Sequence, residues 1–145
     1  MSTFTTPVLI VAFNRTKPLE RLFEVLSEIK PRKLYVSLDG PRPDNAEDVQ
    51  KIKCVQDLIE SKVDWDCDLK KRYSEENLGC GPGPVAGIDW LFENESEGII
   101  LEDDCIPSRS FFEYCEELLE KYRNESKVMT ISGSRFPVDS SIREG

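Results

Sequence analysis

Apolar runs without polar alternation recur along the chain: residues 7–13 (PVLIVAF), 33–38 (KLYVSL) and 98–101 (GIIL). Such runs suit strands covered on both faces, as in parallel sheets. After the first run, Asn14, Arg15 and Thr16 break the pattern, and Leu19, Leu22, Phe23, Leu26 and Ile29 then return at helical spacing. Pro18 is tolerated in a first helical turn, where its missing N–H is not needed, and Pro31 stops the helix. Asp39-Gly40-Pro41 turns the chain after the second run. Asp44 and Glu47 form a capping pair ahead of a stripe at Val49, Ile52, Val55 and Ile59.

Residues 67–73 alternate polar and apolar, which predicts a third, less buried strand. Residues 77–84 (NLGCGPGP) form a Gly/Pro-dense loop, and Val85, Ile88, Leu91 and Phe92 give the next helix face. Ser110 and Glu113 predict a cap before a helix carrying Phe111, Cys115, Leu118, Leu119 and Tyr122. Residues 128–132 (VMTIS) are a fifth apolar run, after which the pattern fades. Strands alternating with helices predict an α/β fold: a three-layer α/β/α domain with a mainly parallel, Rossmann-like sheet. At 145 residues the expectation is a single domain, 1–145, able to bury about two-thirds of its unfolded surface.

Charge and residue inventory narrow the chemistry. A net charge of −9 with scattered Lys and Arg argues against nucleic acid, which needs a basic footprint. Five cysteines, with no CxxC pair, read as reduced thiols, and no run is long and apolar enough for a signal or a membrane span. The expected location is cytoplasmic. Histidine is absent, which removes Ser-His-Asp and Cys-His catalysis and His-ligated zinc from this chain.

Polar residues gather where the strands are expected to end, the edge at which open α/β sheets bind ligands. The first strand runs out at Phe13, Asn14 and Arg15, the second at Asp39, the third ahead of Asn77 and Gly79, the fourth at Glu102, Asp103 and Asp104. Each has an ordinary reading: Arg15 as a surface cation, Asp39-Gly40 as a turn, the triplet as a solvated acidic bend. Together they place a cation, a lone carboxylate and a carboxylate cluster on one edge. Three adjacent acids at a strand end invite a hard divalent cation, Mn2+ or Mg2+, carrying phosphate oxygens. On this assignment Asp104 holds the metal bridging a diphosphate, Asp39 accepts from a base N–H, and Arg15 packs on the base or meets phosphate. The glycines at 79, 81 and 83 let backbone amides approach a sugar or phosphate, although the loop matches neither the phosphate loop GxxxxGKS/T nor GxGxxG.

The segments PVLIVAFNR, SLDG, NLG, IILEDDCIPS and FFEYCEELL, in that order, resemble GT-A-fold glycosyltransferases, in particular the N-acetylglucosaminyltransferase I type. The similarity runs over most of residues 7–133. It implies a UDP-sugar donor, a glycan or other acceptor, and Mn2+ on Asp104. It further implies Glu102 and Asp103 on ribose or metal-bound water, and Phe13, Asn14, Arg15 and Asp39 around uridine, with Asn77 and Gly79 beside the donor. In that family the acceptor pocket and catalytic base lie downstream of the metal motif, so the expectation is the donor-binding part of a longer catalytic domain, with the catalytic residue unassigned. Two rivals stand beside it: a non-catalytic nucleotide-sugar binding module of the same fold, and a phosphoryl-transfer domain. The second needs an acid at the end of the first strand and a lysine after a late one, and neither is present.

Overall fold

The computed structural model describes residues 4–133, divided between Arg109 and Ser110 into two compact units. The first unit is a four-stranded, all-parallel sheet with three helices, and its elements follow the predicted alternation. They are β1 (Val8–Ala12), α1 (Thr16–Ile29), β2 (Lys33–Leu38), α2 (Ala46–Lys62), β3 (Asp68–Tyr73), α3 (Pro82–Asn94) and β4 (Ile99–Glu102). The strand order is β3-β2-β1-β4. Pairing is in register from Val8 opposite both Leu34 and Ile99.

That order explains the layers. Two crossovers, β1 to β2 and β2 to β3, step the same way and bring α1 and α2 against each other. The third steps back over the sheet to β4, which puts α3 on the opposite face under the right-handed rule. Alternation then sorts the core. Leu9 and Tyr35 are fully buried with Leu91 of α3, and Val11, Ile88 and Trp90 pack around them. The alternate strand residues, Val8, Ile10, Leu34, Val36 and Leu38, face the buried stripe of α1 (Leu19, Leu22, Phe23, Leu26) and Ile52, Val55 and Ile59 of α2. α3 lies close to the sheet because Gly87 has no side chain: a Cβ there would sit 2.8 Å from Ser37 Oγ and 2.9 Å from Ser37 Cβ.

Several expectations shift. The cap of α2 is Asn45, whose side chain accepts from the Glu47 amide at 3.2 Å, not Asp44. Val49 is 60% exposed, and Asp48 takes the inward position above Ile52. In α3, Val85 (56%) and Phe92 (48%) are exposed while Gly83 and Gly87 are buried, because the helix presses its smallest residues onto the sheet. Pro82–Pro84 form the first turn of α3, shortening the expected loop.

The second unit holds most of α4 (Arg109–Tyr122), which begins one residue before the expected cap at Ser110. Phe112 is its buried residue, edge-on to Phe111 at 5.6 Å. The fifth apolar run is not a strand. Residues 128–132 carry no ladder, and Met129 is 92% exposed. β-branched composition gives a segment its propensity, but a strand exists only when a neighbour takes its hydrogen bonds.

Candidate functional site

Three polar clusters line the carboxyl ends of β2, β1 and β4. The sheet order reverses between β1 and β4, the topological switch point at which open α/β sheets leave a crevice. Arg15, the residue that caps α1 after β1, reaches across this point to the acids after β4. Its Nη2 donates to Asp103 Oδ1 in a very short contact and to Asp104 Oδ2 at 3.2 Å, and its Nε lies 3.4 Å from Asp103 Oδ2. Hydrogen bonding and charge from Asp103 hold the guanidinium pKa above its ordinary value.

The three acids separate by exposure. A turn closed by the Cys105 amide on the Glu102 carbonyl (3.0 Å) follows β4, and the Asp103 amide continues the β1 ladder by donating to Val11 at 3.1 Å. Asp103 is thereby turned inward, with 4% of its side chain exposed, whereas 51% of Asp104 is exposed. Glu102 is exposed at the strand end. Asp103, expected near ribose or metal-bound water, anchors Arg15 through both carboxylate oxygens.

The second cluster forms around Asp39. Its carboxylate accepts from four donors: the amides of Gly40 (2.9 Å) and Leu78 (2.7 Å) at Oδ1, and the Gly79 amide (2.9 Å) and Asn77 Nδ2 (3.1 Å) at Oδ2. Asn77 Nδ2 also donates to the Gly40 carbonyl at 2.9 Å. Asp39, Asn77 and Gly79, singled out separately in the sequence, therefore partner one another. Gly79 takes a left-handed φ of 84°, which a glycine adopts without strain. At Gly40 the chains run so close that a Cβ would lie 2.6 Å from Glu76 backbone atoms. The loop amides are used internally: Gly79 N–H goes to Asp39, and Gly83 N–H goes to the Gly79 carbonyl at 3.0 Å. The Gly79 and Gly83 amides are thus engaged within the loop, and a ligand would have to displace those bonds to use them.

The third cluster contains two residues that the sequence did not single out. Asp48 is fully buried and accepts from Asn14 Nδ2 (2.8 Å), Arg42 Nε (2.7 Å), Arg42 Nη2 (2.9 Å) and the Arg42 amide (3.2 Å). The Arg42 side chain and these other donors hold its pKa far below the usual carboxylate range, against the opposing effect of burial. The Arg42 guanidinium also lies over the Phe13 ring, 5.7 Å from its centroid. Phe13 and Asn14 are thus tied into a brace beneath the edge. The signal was present: Asp48, Ile52, Val55 and Ile59 share one helical stripe, and an acid in a buried stripe implies a buried partner.

The fit of a metal rests on the outward acids. Among the described residues no group of three or more His, Cys, Asp or Glu side chains is gathered into a cage. A hard cation that travels with a diphosphate needs only one or two carboxylates, the rest of its shell coming from phosphate and water. Asp104, half exposed, suits that sparse arrangement once the Arg15 guanidinium, which now also meets it at 3.2 Å, is held by Asp103 alone. Comparison with protein-family models, with curated proteins and with solved structures finds no match to this chain.

Proposed function

We propose that the chain is the donor-binding domain of a metal-dependent glycosyltransferase, moving a sugar from a UDP-sugar to a glycan or other acceptor. The observation that carries the reading is the convergence of Arg15 with Asp103 and Asp104 at the switch point, from positions 88 and 89 residues apart in sequence. Support also comes from the motif order shared with GT-A glycosyltransferases. Asp104 would hold Mn2+ or Mg2+, and the bound cation would supply Lewis-acid neutralisation of the departing diphosphate. Arg15 has donors left over for phosphate oxygens, since a guanidinium carries five N–H groups in a fixed fork. Asp39 acts by positioning: its four engaged donors fix the 77–79 loop, and a direct bond to a base N–H requires one of them to yield.

Calorimetric titration with UDP in the presence of Mn2+ tests the reading. The wild type is expected to bind and Asp104→Ala to lose most of the affinity; equal heats from both exclude the metal assignment. Tight UDP-sugar binding with no transfer of any donor, even by a longer chain that carries the downstream part, assigns the chain to the non-catalytic alternative.

A further inference from the structure

The acidic turn after β4 carries its own cation. Arg15 grips the two aspartates unequally: Asp103 is buried and meets the guanidinium through both its oxygens, while Asp104 is half exposed and meets it once, at 3.2 Å. A guanidinium and a divalent cation sharing the exposed Asp104 carboxylate repel each other, so the hold of Arg15 on Asp104 Oδ2 disfavours a metal there. The buried carboxylate is the costly one to abandon, because an unpaired charge in the interior loses its solvation without compensation. With 53% of the Arg15 side chain exposed, the fork still has a face open to solvent.

Resting on the glycosyltransferase reading above, we propose that Arg15 is an exchangeable counter-ion. Tethered to Asp103, it covers Asp104 and transfers its outer N–H donors to the diphosphate of the incoming donor, releasing Asp104 for the metal. The exchange makes Arg15 a positioning residue that couples two ligands. Free metal meets an occupied carboxylate; metal accompanied by a diphosphate meets an open one, because the phosphate oxygens supply the arginine's replacement partner. Nothing in the exchange involves the base or the sugar, so inorganic pyrophosphate serves as well as UDP in opening the acid.

Binding of Mn2+ followed by electron paramagnetic resonance, with the full chain, tests the proposal through a readout independent of turnover. Arg15→Gln is expected to bind Mn2+ alone about 10-fold more tightly than the wild type, and to gain less from added pyrophosphate, a coupling of ordinary allosteric size. Equal affinities for Mn2+ alone and equal gains from pyrophosphate overturn the exchange and leave the metal assignment standing. No Mn2+ binding by either protein, with or without UDP, overturns both. Should Arg15→Gln fail to fold, the wild type decides by itself through the NMR signal of the Arg15 Nε–H group. That signal is expected to move when Mg2+ and pyrophosphate are added together and to stay in place with Mg2+ alone; a signal unmoved by the pair contradicts the proposal.

Discussion

Replacing Asp39 by asparagine preserves shape and removes one acceptor oxygen from the centre of the loop cluster. The native carboxylate serves two donors at each oxygen, at 2.7–3.1 Å. An amide can keep one of those pairs. Its best orientation leaves the oxygen on the Gly40 and Leu78 amides and turns its NH2 towards the Gly79 amide and Asn77 Nδ2, donor against donor. Each lost bond is worth about 0.5–1.5 kcal/mol net. Asp39 is only half-buried, so water partly replaces the lost acceptor. The expected cost is about 2 kcal/mol, which lowers the urea midpoint by about 1 M and Tm by roughly 4–8 °C for a chain of this length. Amide hydrogen exchange locates the effect, with Leu78 and Gly79 losing protection first. Asp44→Asn, which removes the same charge from an exposed residue, is the control and is expected to stay within about 0.5 kcal/mol of wild type. If Asp39→Asn matches that control, Asp39 does not organise the loop.

Other consequences follow from the packing. Tyr73 Oη is buried with no hydrogen-bond partner among the described residues, and burial pushes its pKa up to about 12. Tyr73→Phe is therefore expected to unfold at no lower a urea concentration than wild type, and a loss of more than about 1 kcal/mol would reveal a bond that the geometry lacks. The neutral phenol is the form that the fold favours. Its contribution is complete below the ordinary value near 10 and is lost as pH rises from about 10 towards about 12, a titration visible in phenolate absorbance. The depressed Asp48 works in the opposite direction: its contribution is complete above the usual carboxylate value of about 4 and is lost as pH falls below it. Asp48→Asn should be less stable than wild type at pH 7, with the gap narrowing in acid when urea midpoints are compared. Gly87→Ala drives a methyl to 2.8 Å from Ser37 Oγ and should cost about 1–3 kcal/mol in urea unfolding, whereas an unchanged midpoint would mean that α3 lifts freely off the sheet.

Much of the sheet was legible because its central strands, β1 and β2, are buried on both faces and leave uninterrupted apolar runs, the expected 33–38 strand coinciding with β2. By contrast, β4 at the sheet edge buries one face only and leaves Ile100 exposed. Helical stripes were read well where the helix buries bulky residues, as in α1, and badly in α3, where glycines form the contact and Val85 faces outward. Residues 128–132 misled because a strand needs a partner that local composition cannot announce. At the site, the edge could be inferred from the strand ends, since parallel topology brings every carboxyl end together. Partnerships could not. The sequence gives no sign that Asp39 spends its acceptors on Asn77, Leu78 and Gly79, or that Asp103 rather than Asp104 turns inward to Arg15. Those outcomes depend on the direction of a turn and the spacing of adjacent strands. Asp48 is the instructive miss, for its place in the stripe was visible and its charge disguised it.

The proposed function requires Asp104 to receive a divalent cation together with a nucleoside diphosphate at the β1/β4 switch point. Crystals of the full chain soaked in Mn2+ and UDP, with data collected for manganese anomalous scattering, test it directly. The expected result is an anomalous peak bonded to the Asp104 carboxylate and to diphosphate oxygens, with Arg15 still on Asp103. A soaked crystal with no manganese at Asp104, and with Arg15 still covering both aspartates, would contradict it.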